Sequence, residues 1–243
     1  MTRVYNVLSP HLDDAALSCS LLLAANPGSC VTTVFAAGPR SVRPLTPWDR
    51  GAKYFPEGAD VTGIRRGEDI NATALVRATA IHLSYWDRQY RNERYGYQGL
   101  PDEDLPDAIA ATLASARPPV SAAALVVPLG LGHPDHRLAA EAGLILAERE
   151  PADVFVYEEL PYAVENAFEV AARKRYFAER GFDLEEDISV DTTADRMVKV
   201  AVLRCHASQR RALRRRLRVA ARAQERVWKM APRHAHSGGG AGR

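Results

Sequence analysis

Cysteine is scarce in this sequence. Cys19, Cys30 and Cys205 are the only three among 243 residues, and no two form a CxxC pair. Their odd number and wide spacing argue against a disulfide framework. They read as small apolar core residues in a reducing compartment, and the cytoplasm is the expected location. An excess of one charge is also missing. Thirty-two basic residues face 30 acidic ones, a formal net charge of +2, so the chain as a whole does not read as a binder of nucleic acid or membranes. No apolar run is long enough for a membrane span. The first residues lack the charged start and apolar run of a signal peptide. No internal repeat is visible.

What the sequence does contain is a regular alternation. Short aliphatic or β-branched runs at 4–8, 30–35, 80–86, 123–129 and 153–157 have the length of buried strands. Between them, 14–25, 64–80, 103–116 and 135–148 read as helices, bounded by Asn26-Pro27-Gly28, Pro118-Pro119 and Pro151. Alternating strands and helices predict an α/β fold, a Rossmann-like, mostly parallel sheet with helices on both faces. Residues 1–231 are expected to form a single domain, with 232–243 a disordered tail. The segment 40–63, with Pro44, Pro47 and Pro56, reads as a long loop, either a lid or a mobile surface insertion.

In such sheets ligands gather beyond the carboxyl ends of the strands, and two polar clusters fall there. Pro10-His11-Leu12-Asp13-Asp14 follows the first expected strand. A histidine and two carboxylates at that point do not serve an apolar core and are costly to bury unless paired or metal-bound. His11 and Asp14 are three residues apart, so a helical first turn can aim both at one point and leave Asp13 free to handle a proton. Gly132-His133-Pro134-Asp135-His136-Arg137 follows the fourth expected strand. One of its two histidines can supply a third metal ligand while the other stands beside the substrate, since a catalytic zinc keeps an open position. Nitrogen and oxygen donors suit zinc, with iron or manganese as alternatives. Each cluster alone has a plainer reading, a capped helix with a satisfied histidine. Two of them at the ends of strands in one sheet favour a metal site.

These two motifs make the chain resemble the N-acetylglucosaminyl-phosphatidylinositol de-N-acetylase family, the PIG-L or LmbE-like deacetylases. Weaker matches are Arg65-Arg66-Gly67-Glu68-Asp69, Tyr157-Glu158, Lys199 and His206-Ala207-Ser208-Gln209. The resemblance implies a zinc-dependent hydrolase that removes an N-acyl group, most simply acetyl, from a sugar-like small molecule. It implies that His11, Asp14 and His136 hold the zinc and that Asp13 is the general base. His133 assists at the oxyanion or protonates the leaving amine, and Arg65 or Arg66 binds substrate. Asp135 is expected to orient a histidine from behind. The sequence departs from the family pattern at Leu12, at Ala15 and in the run Ser18-Cys19-Ser20. The chemistry expected is attack of metal-activated water on an amide carbonyl, with Asp13 taking the proton and a protonated His133 steadying the oxyanion.

For the substrate wall, Asp87 and Arg91 follow the third strand and face the same end of the sheet. Trp48, Tyr54, Trp86 and the run 158–162 are further candidates. A competing reading comes from 204–222, rich in arginine, as a module for nucleic acid or another anionic partner. Leu203, Leu213, Leu217 and Ala220 give that stretch an apolar stripe, so a solvated helix packed on the domain is preferred and no nucleic acid is expected. A metal-binding but inactive family member is the remaining alternative. Nothing in the sequence fixes the oligomeric state.

Overall fold

The computed structural model describes residues 3–116, 123–149, 153–190 and 195–233. Seven strands are β1 (Tyr5–Ser9), β2 (Cys30–Thr33), β3 (Thr79–His82), β4 (Ala124–Pro128), β5 (Val154–Tyr157), β6 (Phe182–Val190) and β7 (Glu225–Pro232). The helices are α1 (Asp14–Ser18), α2 (Ser20–Ala25), α3 (Pro47–Ala52), α4 (Val61–Leu75), α5 (Leu105–Ala114), α6 (Pro134–Arg149), α7 (Tyr162–Glu165), α8 (Ala167–Glu179), α9 (Asp195–Cys205) and α10 (Arg214–Ala220). The strands form one sheet in the order β3-β2-β1-β4-β5-β7-β6. The first five in that order run parallel, and β7 and β6 complete the sheet antiparallel. The expected α/β, mostly parallel architecture is therefore present. The β6–β7 pair was not foreseen, because both strands carry charges that blur the apolar run.

Side-chain alternation along the strands builds two cores, one on each sheet face. Val7, Val31, Val126, Phe155 and Tyr157 pack against α1, α2, α4 and α9. Their neighbours Leu8, Val127, Val154 and Val156 point the other way, toward α5, α6 and α8. Of the expected helices, 14–25 is divided at Cys19. The buried Glu225 carboxylate accepts the backbone N–H groups of Leu21 (3.0 Å) and Leu22 (3.3 Å), opening a new helix there, and Lys199 neutralises it at 2.8 Å. The helix expected over 64–80 begins earlier, at Val61, capped by Asp60, and stops at Leu75.

The segment 40–63 is more structured than a long loop. Thr46 caps α3 by accepting the Asp49 N–H, and Val42, Leu45, Phe55 and Val61 close a small core on Tyr90. The arginine-rich stretch is not one continuous helix. It breaks after Cys205 and resumes as α10, with Leu213 and Ala220 buried. β7 runs through Pro232, which pairs with Phe182, so residue 232 belongs to the sheet; the rest of the tail expected over 232–243 lies, from 234 onward, outside the described residues. No helix among the described residues is long and apolar enough to cross a membrane.

Candidate metal and active site

The chain leaves β1 toward β2 and β3 on one side and returns to β4 and β5 on the other. The carboxyl ends of β1 and β4 thus flank the point where strand order reverses, the usual crevice of open α/β sheets. The first cluster is set by Ser9. Its hydroxyl donates to the His11 carbonyl oxygen at 2.6 Å and accepts the Ala15 N–H at 3.0 Å, which ties the end of the strand to the start of α1. Ala15 thus serves the turn through its backbone. The second cluster follows Gly132, held at φ +71°, where a Cβ atom would come within 2.1 Å of the Tyr162 ring.

Asp14 Oδ2 is 3.1 Å from His11 Nδ1 and 3.1 Å from His136 Nε2. Donors about 2.0–2.1 Å from one tetrahedral ion sit about 3.3 Å apart, so both edges suit ligands of a common metal. One ring nitrogen each from His11, His133 and His136 also lie within 4.8 Å of one another. His136 is 1% exposed, and its Nδ1 has no aligned hydrogen-bond partner. Glu159 Oε1 is 3.3 Å from that atom, within ion-pair reach but off the N–H direction. A buried carboxylate behind the imidazole and oxygen and nitrogen donors in front are what a divalent ion requires. The donor set fits a divalent metal.

Electrostatics agree with a metal-ready cluster. Burial pushes the His11 imidazole down, but hydrogen bonds to Asp135 and Asp14 outweigh it and leave the ring well above its ordinary value. Burial likewise opposes His136, and Asp14 and Glu159 lift it to about 9. Asp14, though buried, is held well below the usual carboxylate range by His136 and His11. His133 behaves differently. Burial and the neighbouring His11 push it down to about 4, and its Nδ1 accepts the Asp135 N–H at 3.1 Å. The ring is therefore neutral near pH 7 with its proton on Nε2, not the protonated His133 the sequence suggested.

The other expected residues divide. Asp13, 8% exposed, lines the cavity and accepts from Arg65 Nη2 at 3.3 Å. Arg65 also reaches Asp87 Oδ2 at 3.5 Å, so this buried guanidinium spans two carboxylates of the cavity wall. Asp135 is fully buried. It holds His11 Nε2 at 3.1 Å and accepts from the Arg88 N–H and from Arg91 Nη2. Arg91 therefore stands behind Asp135, also bonding the Trp86 carbonyl, and does not line the cavity. Arg66 does not line it either, because its Nε donates to the Ala36 carbonyl at 2.7 Å. These two arginines are corrected from substrate groups to supports; each is drawn to a buried acceptor nearer than the cleft.

The cavity encloses about 300 Å³ over the histidines. Trp48 of α3 and Gln89 form one wall. Pro161, Tyr162, Leu213 and Arg216 also line the cavity. Tyr54, by contrast, is half-exposed and away from it. Arg216 was missed as a cavity residue, and Glu159, expected only as one of the lining candidates in the run 158–162, instead supports the site from behind. Glu159 lies in the acidic pair after β5, but only tertiary contact shows that its carboxylate accepts three successive N–H groups, of Leu129, Gly130 and Leu131. Arg216 sits in a run where every other arginine is exposed. Of the weaker motif matches, Glu68 accepts from Ser208 and Lys199 pairs with Glu225, so these bind elements together rather than line the cavity.

The family of GlcNAc-PI de-N-acetylases, PIG-L, matches residues 6–147, more than half of the chain and both histidine clusters. Among solved structures, a teicoplanin-pathway deacetylase in complex with bog is 26% identical, with a TM-score of 0.77 over 95% of this chain and 98% of the other. The zinc-inhibited form of teicoplanin deacetylase Orf2 is 26% identical, with a TM-score of 0.75 over the same shares, 95% and 98%. The A40926 pseudoaglycone deacetylase Dbv21 shares the fold at 23% identity, TM-score 0.71, over 97% of this chain and all of that one. A comparison with curated protein sequences finds no match. The chain belongs to the PIG-L family of deacetylases. It is a deacetylase, a hydrolase of a class that works with a divalent metal.

Proposed function

We propose that this deacetylase removes an N-acetyl group from an amino sugar or a sugar-bearing small molecule, and that its metal is zinc held by His11, Asp14 and His136. The single observation that supports the ligand set is Asp14 Oδ2 equidistant, at 3.1 Å, from two imidazole nitrogens. His133 is the weaker ligand candidate because the proton of its neutral ring sits on Nε2. A sugar substrate is supported by the cavity's size, by the Trp48 side wall and by its similarity to teicoplanin-pathway deacetylases. Residues 1–231 act in this reading as one domain, in the cytoplasm.

A bound divalent ion supplies Lewis acidity to the amide carbonyl and to water. Asp13, which faces the cavity without contacting the three ligands, takes the proton of the attacking water. Arg65 fixes the direction of that carboxylate. The Nε2–H of His133 donates to the carbonyl oxygen as negative charge develops there, and a neutral donor needs no prior protonation to do so. The proton gained by Asp13 is then available to the departing nitrogen. Asp135 and Glu159 hold the His11 and His136 rings in place throughout.

Acetate release from a panel of N-acetylated amino sugars and their conjugates tests this reading. Turnover is expected with zinc, lost on chelation and regained when zinc is returned. No acetate from any member with zinc, iron or manganese would sink it.

A further inference from the structure

The charges of the cavity wall are settled with one exception. Asp13 and Asp87 share the Arg65 guanidinium. Asp14 faces His11 and His136. Arg216 is the remaining charged group of the wall, and no carboxylate among the described residues lies within ion-pair distance of it. It is half-buried, and its Nη1 donates to the Tyr162 hydroxyl at 3.0 Å while its guanidinium lies 4.8 Å from the centre of that ring. Tyr162 in turn meets His136 edge-on, with ring centroids 5.4 Å apart. A positioned guanidinium thus lines the same cavity as the carboxylates, linked through Tyr162 to the metal-site histidine, with its remaining N–H donors unassigned.

The surroundings add to this charge. From 204 to 222 there are eight arginines and no acidic residue. The seven others, among them Arg210, Arg211, Arg214 and Arg215, are exposed and make no ion pair among the described residues. A molecule with a net charge of only +2 therefore concentrates positive charge on the segment that carries Arg216. Such a field raises the local concentration of anions, while a half-buried guanidinium can bind an oxyanion at two points.

We propose that Arg216 is a specificity-determining residue that binds an anionic group of the substrate, a phosphate or carboxylate, so that the enzyme's natural substrate is an acidic N-acetylated amino sugar or conjugate. This rests on the deacetylase reading of the cavity. Leu213 and Trp48 receive the neutral parts of the sugar between Arg216 and the Asp13 side. The exposed arginines speed the approach, and their effect fades with salt because they are fully solvated.

The test uses the amine products, which cannot be hydrolysed. Glucosamine, glucosamine 6-phosphate and muramic acid are titrated by NMR into the metal-loaded protein at physiological ionic strength. All three carry the same ammonium, and the last two add a phosphate and a carboxylate. One of the two acidic sugars is expected to bind about tenfold or more tightly than glucosamine, the gain of one charge-assisted contact, and the larger gain names the group. That ratio should collapse toward unity in Arg216→Gln and return in part in Arg216→Lys, with the fold of each variant checked by its melting curve. Equal or undetectable binding of the three sugars overturns the proposal, as does a preference that survives Arg216→Gln. Because binding is read without turnover, absence of acetate release bears on the deacetylase reading alone.

Discussion

Glu159 Oε1 stands 3.3 Å from His136 Nδ1, while the same carboxylate accepts the N–H groups of Leu129, Gly130 and Leu131. One buried side chain thereby fixes both the loop that leaves β4 and the imidazole delivered by α6. Support of this kind sets ring orientation and ligand basicity. Glu159→Gln keeps the shape and one acceptor oxygen but removes the charge. Zinc affinity should fall about 10- to 100-fold, measured by competition with a chromogenic chelator. Unchanged affinity would remove Glu159 from the metal site.

Asp13 and Asp14 are neighbours with different tasks. Asp13→Asn should leave the zinc content near one per chain while kcat falls by about a hundredfold or more. Metal analysis beside steady-state kinetics reads both. Near-normal turnover in this variant would place the general base elsewhere.

Arg65 and Arg66 are adjacent in sequence and separate in function. Arg65→Met leaves Asp13 and Asp87 without their shared cation, so kcat/KM should drop by at least about tenfold. Arg66→Met loses a hydrogen bond to the Ala36 carbonyl and should cost about 1 kcal/mol of stability with little change in kcat/KM. Equal kinetic damage from both would show that the second arginine also reaches substrate.

The metal-free protein should depend on pH from two sides. Burial disfavours protonated His136, but Asp14 and Glu159 raise it to about 9. Its extra proton affinity stabilises the fold fully below about pH 6.5, and that contribution is lost as pH rises through about 9. His133, lowered to about 4 mainly by burial, works the other way. Its contribution is present above about pH 6.5 and disappears as pH falls toward about 4. A metal must displace the His136 proton, so zinc affinity should climb between neutral pH and about 9, about tenfold per pH unit for each proton released. Calorimetry at pH 7 in buffers of different ionisation enthalpy counts those protons. A heat independent of the buffer would contradict the protonated apo site.

The sequence by itself determined the parallel half of the sheet and the two motifs at its switch point. Short apolar runs of strand length are local properties, and so is the three-residue spacing that brings His11 to Asp14 and places His133 near His136. The antiparallel β6–β7 pair escaped because strands with charged faces resemble surface segments. Tertiary structure alone decided which polar groups serve the cavity. Arg65 reaches Asp13, Arg91 retreats behind Asp135, Glu159 backs His136, and Arg216 leaves an exposed basic run to enter the wall. Each of those outcomes joins residues far apart in the chain, and strand order and helix packing, not sequence spacing, set the distance between them.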